Sequence, residues 1–258
     1  MVEISILDKS TDKFAIDKDK KIYKLKLLIK GETPTFLNVL RRIIQEEVKT
    51  LAIEDVYIID NNSAMWDEML AHRLGLIVLN TPENLKEDSQ VKFYLEKNQK
   101  GYIYASDLKS ENPEVYPVYP ETMIGYLDEN QKVKLEAVAI LGNGKIHSKF
   151  MPGHVYYYRT ADIKLERDLD EKEIENLETL GVKVKKGKIV LPEKKEYDRT
   201  FIDAIESAAS GKIKIIPKDE FVFIIESYGQ YSAEKMLELG LNELERKLRD
   251  ILNFLMNN

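Results

Sequence analysis

Leu237, Leu241, Leu244, Leu248, Ile251 and Leu255 recur near the C-terminus at spacings of four, three, four, three and four. A strand cannot gather such a series on one face. A helix does, because steps of three and four bracket its 3.6-residue turn. Ser232 offers an N-cap oxygen, so the pattern predicts one helix from Ser232 to about Met256, roughly 35 Å long. Each aliphatic side chain of such a heptad stripe is worth about 1.5–3 kcal/mol when fully buried. Left in water, the stripe is an aggregation liability. Two covers are open: the chain's own sheet, or a helix of another subunit.

A second helix is predicted from Thr35 to Val48, with Leu37, Leu40, Ile44 and Val48 on one face and Pro34 suited to its first turn. Upstream, Val2, Ile4 and Ile6 alternate with polar residues, DKSTDKFAIDKDK is a polar connection, and Tyr23, Leu25, Leu27 and Ile29 alternate with lysines. That reads as a hairpin. Ala52–Ile59, Val91–Glu96 and Val133–Leu141 read as strands, and Met151–Tyr158 has strand propensity. A short helix carries Trp66, Asp67, Glu68, His72 and Arg73. Asn112–Pro120, with three prolines, is extended or looped. Between Ala161 and Gly211 charge density rises: a helix at Asp170–Leu180, a hairpin of Val182–Val184 and Ile189–Leu191 turning at Lys185–Lys188, and a helix at Asp198–Ala209. Glu220–Glu226, apolar on both faces, is a central strand.

Composition excludes several classes. There is no cysteine, which removes disulfides, zinc–thiolate sites and cysteine-held iron–sulfur clusters. The net charge of −6 argues against a protein whose main task is gripping nucleic acid. No window approaches 18 charge-free apolar residues, so no membrane span is expected. MVEISILDKS lacks the pattern of a signal peptide, and cytoplasmic residence follows as the default.

LRRI at Leu40–Ile43, AIEDVYIIDNNS at Ala52–Ser63, DEMLAHRLGLIVL at Asp67–Leu79 and GNGKIHSKFMPG at Gly142–Gly153 carry a resemblance. With the rest of the chain in register, they resemble the D-type, alpha-like subunits of archaeal DNA-directed RNA polymerases, kin of the bacterial alpha subunit. The resemblance implies an α+β fold with a discontinuous dimerisation domain, residues 1–50 and 212–258, built from a sheet and two packed helices. It implies a β-rich insert domain over 51–160 and a small ferredoxin-like insert over 161–211. The implied role is assembly without catalysis. This chain would pair with the smaller alpha-like subunit L through the two helices, across Leu37, Leu40, Ile44, Val48, Leu237, Leu241, Leu244, Leu248, Ile251 and Leu255. Subunits N and P and the two large catalytic subunits would join that platform, with no direct DNA contact by this chain.

The resemblance bears on individual residues as well. Of Arg41 and Arg42, two charges amid an apolar helix, at least one would reach a carboxylate of a large subunit, since guanidinium is a rigid, weakly hydrated donor fork. The bland alternative is two solvated heads on buried stems. Gly142-Asn-Gly144 lacks the third glycine of a dinucleotide fingerprint and reads as a turn; in the family this loop faces other subunits, which makes His147 and Lys149 contacts. Many relatives bind an iron–sulfur cluster through four cysteines in the small insert. With Gly211–Ile215 aligned, Arg199, Ile202, Ile205 and Ala209 stand at those positions, so no cofactor is expected and apolar packing would replace the cluster. A different class of function remains as the runner-up: a small cytosolic enzyme with a site near His72 and Asp67. Against it, none of the three histidines pairs with another at ligand spacing. The local expectation there is a helix packed by Trp66, Leu70 and Leu74, with Glu68 and Arg73 in ion pairs.

Overall fold

The computed structural model describes residues 2–11, 22–185, 188–192 and 195–256. In chain order it contains β1 (Glu3–Thr11), β2 (Ile22–Lys30), α1 (Pro34–Glu46), β3 (Thr50–Asn61), α2 (Asp67–Gly75), β4 (Gln90–Lys97), β5 (Gly101–Tyr104), β6 (Lys109–Ser110), β7 (Met123–Leu127), β8 (Val133–Gly142) and β9 (Gly153–Leu165). Then come α3 (Glu171–Thr179), β10 (Lys183–Lys185), β11 (Lys188–Val190), α4 (Arg199–Ala208), β12 (Ile213–Ser227) and α5 (Ala233–Met256). The class is mixed α and β. One four-stranded sheet has the order β1-β2-β12-β9, another the order β3-β8-β4-β6, and β5-β7 and β10-β11 form two-stranded ribbons. Most of the polar connection expected after β1, and the tip of the β10-β11 turn, lie outside the described residues.

The chain divides into two compact units. The first holds Met1–Asp8, Lys26–Leu37 and Tyr156–Ile224, and so most of the β1-β2-β12-β9 sheet with α3, α4 and their hairpin. In the sheet β12 is flanked on both sides, and Phe221 to Ile225 are buried, as an unbroken apolar run requires. Leu28, Val222 and Ile224 pack with Tyr156, Tyr158 and Tyr197. β9 runs on to Leu165, past the boundary expected at residue 160, and β12 begins at Ile213, seven residues ahead of the apolar run at Glu220. The added stretches set Ile163, Leu165, Ile213 and Ile215 between charged residues, and most of their side chains are half-buried or exposed, so no unbroken apolar run marks them. In the small insert Asp170 caps α3 in a reciprocal box with Glu173, and the Asp198 carboxylate accepts from the Phe201 N–H to cap α4.

The second unit holds Lys9–Leu25, Asn38–Val155 and Ile225–Asn258. Its core lies beneath the β3-β8-β4-β6 sheet, where Leu51, Ile53, Phe93, Leu95, Leu135 and Ala137 meet Leu70 and Leu74 of α2. β3 and β8 pair antiparallel with register shifts between Ile53 and Asp55 and between Ile58 and Asp60. Each shift leaves one residue, Glu54 or Ile59, unpaired on the bulged strand. The β5-β7 ribbon has no counterpart in the expected elements. Its strands are short and each contains a glycine, so neither shows sustained alternation.

Candidate assembly surface

Helix α5 begins where the sequence places it: the Ser232 hydroxyl accepts from the Lys235 N–H at 3.1 Å. Its period is also as expected, but its inward face is not. The residues buried along it are Ala233, Met236 and Gly240. That stripe runs one residue ahead of the leucine series, about 100° around the helix. Gly240 marks the close approach: a Cβ there would stand 2.4 Å from Ile44 Cγ1. Leu237 and Leu244 are consequently half-buried, and Leu241, Leu248, Ile251 and Leu255 are exposed. Past Leu248 the helix is apolar on all but the side that carries Arg249, Asp250 and Asn253. Leu252 is exposed as well, and Phe254 and Met256 keep 67% and 84% of their surface.

The other half of the expected seam is corrected by the structure. Leu37 and Ile44 are 0% exposed, and Leu40 and Val48 are buried as well, all within this chain. They have no surface left for a partner. The side of α1 that does remain open carries Phe36 and Val39. A helix that looks one-sided in sequence has two usable sides here, because the exposed one holds only two apolar residues among polar ones.

Arg41 and Arg42 are occupied locally. Arg41 donates to Asn38 Oδ1 and, at 2.9 Å, to Gln45 Oε1. Arg42 donates both arms of its fork to Glu46, at 3.1 and 3.0 Å. That bond lowers the Glu46 carboxyl pKa and raises that of the guanidinium. Arg42 stays exposed; Arg41 is half-buried. Neighbouring Glu47 is held on two sides, by Lys145 and by Lys247, the latter at 2.9 Å. Burial pushes its carboxyl up, but hydrogen bonds from both lysines outweigh that and leave it lowered.

The loop after β8 serves the chain's own packing. A Cβ on Gly144 would stand 2.3 Å from the Gln45 carbonyl oxygen, so only glycine lets the loop lie on the last turn of α1. The Lys145 N–H donates to the Glu46 carbonyl at 3.1 Å. Lys149, expected as a subunit contact, is corrected. Its Nζ donates to the Ile53 carbonyl at 2.8 Å, pairs with bulged Glu54 at 2.5 Å, and lies 5.2 Å from the Phe150 ring centre. It fastens a strand bulge and has little left to offer. His147 is exposed, with Nδ1 accepting from the Lys149 N–H.

On α2 the expected local packing is half right. Leu70 and Leu74 are buried, but Trp66 is exposed, and neither Glu68 nor Arg73 is in an ion pair among the described residues. Arg73 instead donates to the Ile124 carbonyl at 3.2 Å. Asp67 accepts from Asn61 Nδ2 at 2.7 Å, and His72 is exposed. Among the described residues no three His, Asp or Glu side chains gather as metal ligands would. At the positions aligned with cluster cysteines, Ile205 and Ala209 belong to one apolar core with Leu177, Val182 and Ile213. Ile202 is buried, and Arg199 pairs on the surface with Asp203 at 2.9 Å. These side chains do not fit an iron–sulfur cluster, which needs thiolates.

Comparison with known proteins follows the same outline. The profile of the RNA polymerase Rpb3/RpoA insert domain matches residues 56–152. The chain is 33% identical to the DNA-directed RNA polymerase subunit Rpo3 of Pyrococcus horikoshii over 98% of its own length and 97% of that protein. The chain belongs to the Rpo3 family. It is also 34% identical to the Rpo3 subunit of Pyrobaculum calidifontis, covering 99% of this chain and 97% of that one. Against Methanocaldococcus jannaschii Rpo3 the identity is 42%, over 60% of this chain and 81% of the relative. Family membership makes the matched residues 56–152 the alpha-like insert region, which holds β4 to β8, α2 and the second half of β3. Among the described residues no helix is long and apolar enough to cross a membrane.

Proposed function

We propose that this chain is a non-catalytic assembly component of an archaeal, cytoplasmic DNA-directed RNA polymerase, its D-type alpha-like chain, and that it pairs with the smaller alpha-like subunit L. One observation carries this reading. The last turns of α5 expose Leu248, Ile251, Leu252, Phe254, Leu255 and Met256 together. Monomeric proteins rarely leave a contiguous patch of that kind uncovered, and a helix in a groove is a recurrent way to cover it. Leu241 extends the surface towards the middle of the helix, and Val39 of α1 is exposed as well.

In this reading residues 1–50 and 212–258 form the pairing domain, 51–160 the β-rich insert, and 161–211 a ferredoxin-like insert that carries no cluster. The apolar core around Ile205 and Ala209 supports the last point. Arg42 and His147, both exposed, are the contacts left to the large catalytic subunits, and subunits N and P join the same platform. Nucleotidyl transfer belongs to the large chains.

The deciding experiment is light scattering after size exclusion, on this chain alone and co-expressed with an archaeal subunit L. Self-association alone and a stable one-to-one complex on co-expression are expected. A well-behaved monomer that ignores subunit L would sink the proposal.

A further inference from the structure

A second exposed surface lies well away in sequence from α5. On the β5-β7 ribbon, Tyr102 pairs with Tyr126 and Tyr104 with Met123, and all four side chains are exposed. The Tyr102 and Tyr126 rings sit 5.1 Å apart at 68° to each other. Tyr104 stands 6.0 Å from Tyr102 at 43°. Three phenol rings set at angles make a corner of π faces, each with a negative centre. The ribbon is held by Arg73, whose guanidinium donates to the backbone of β7, and by the Met65 side chain, 3.4 Å from where a Cβ on Gly125 would stand. The rings therefore stand on a fastened support.

Carboxylates outnumber cations around the ribbon: Asp107, Glu121, Asp128, Glu129 and Glu68 stand against Lys97, Lys100 and Arg73. At one end Lys100 is shared by Asp128 and Glu129, at 2.9 and 3.3 Å, leaving a carboxylate in excess. At the other end Asp107 is paired with Lys97 at 2.7 Å, while Glu121 is in no ion pair among the described residues. Glu68 on α2 is likewise in none. Aromatic faces with surplus carboxylates complement a cation, and guanidinium is the cation that stacks on rings and bonds carboxylates in two-pronged fashion.

We propose that the β5-β7 tyrosine corner is a docking site for an arginine-bearing segment of another polypeptide, with guanidinium against Tyr102 and Tyr126 and its N–H groups directed at Glu121 or Glu129. The charge excludes the two other ligands that exposed aromatics suit. Single-stranded nucleic acid needs a positive groove beside the rings, and a proline-rich segment gains nothing from surplus carboxylates. The proposal is independent of the pairing with subunit L, since no α5 residue takes part.

The test uses the intact chain and fluorescence anisotropy with labelled repeat peptides of Arg-Gly, Lys-Gly, Glu-Gly and Pro-Gly, and an oligothymidine strand. The Arg-Gly peptide should bind most tightly, and more weakly as salt rises. Tyr102→Ala and Tyr126→Ala should each raise its Kd by about fivefold, while Tyr126→Phe, which keeps the π face, should stay near wild type. A second arm avoids the rings altogether: Glu121→Lys with Glu129→Lys, checked for an unchanged circular dichroism spectrum, should abolish Arg-Gly binding. Equal binding of Pro-Gly peptide or oligothymidine would overturn the proposal. So would Arg-Gly affinity unmoved by the tyrosine and charge-reversal variants.

Discussion

Helices α1 and α5 carry similar aliphatic stripes, yet one stripe is spent inside the chain and the other mostly is not. On α1 the stripe Leu37, Leu40, Ile44, Val48 is buried throughout. On α5 the stripe that packs inside is Ala233, Met236, Gly240, and the larger leucines stand off to the side or in solvent. The difference teaches that size of side chain does not tell which face of a helix goes inward. Gly240 lets Ile44 approach the α5 backbone, and small residues decide where two helices can come closest. Big aliphatic side chains are then free to face something else.

The comparison breaks most sharply if an α1 residue proves dispensable. Ile44→Ala should cost about 2–5 kcal/mol of chain stability, the range for truncating a fully buried aliphatic residue, read by chemical denaturation. A loss below about 1 kcal/mol would mean that α1 is not core.

On α5 the effect should move from folding to association. Leu248→Asp with Leu255→Asp should change the stability of the isolated chain by no more than about 0.5 kcal/mol. The same pair should weaken the complex with subunit L by roughly 2 kcal/mol or more, as loss of an interface anchor does, measured by calorimetry. A destabilised chain with intact pairing would reverse the assignment.

Gly240→Ala sharpens the comparison at its hinge. Alanine gains about 1 kcal/mol in helix propensity over glycine, but its Cβ would meet Ile44 at 2.4 Å. Overpacking of about 1–3 kcal/mol should win, so the melting temperature should fall. A rise would show that Ile44 yields freely.

The smallest expected effect concerns Glu47, which ties Lys145 and Lys247 at the C-terminal end of α1. Its carboxyl pKa is lowered from the ordinary 4.5. Its contribution is therefore present above pH 4.5 and lost as pH falls through the lower folded value. Glu47→Gln should remove roughly 0.5–1 kcal/mol at neutral pH and make the acid limb of the stability profile shallower. An unchanged acid limb would show that the two lysines do not hold the carboxylate.

Much of the architecture was legible. The α5 heptads, the Ser232 cap, the α1 stripe, the strand at Glu220–Glu226 and both helices of the small insert all follow from local pattern and cap chemistry. What escaped has a common cause. β9 and β12 extend by only a few positions, where charged residues separate Ile163 from Leu165 and Ile213 from Ile215, and the β5-β7 ribbon is short and interrupted by glycine, so neither stands out as a run. Lys149 looked like a surface lysine because nothing local shows that β3 bulges at Glu54. Its anchor lies about a hundred positions away in sequence.

By itself the sequence determined the mixed α and β class, the two helices and their periods, the lack of any thiolate for a cluster, and the motifs that place the chain in its family. Those rest on neighbours within a turn or a strand, or on atoms that are simply present or missing. Only the tertiary structure decided which stripe of α5 turns inward, that the α1 stripe is core, that Lys149 is an internal fastener, and that three tyrosines far from the helices in sequence share one corner. Each of these depends on which backbones approach closely enough to exclude a side chain, and that distance is set by residues remote from one another in the chain.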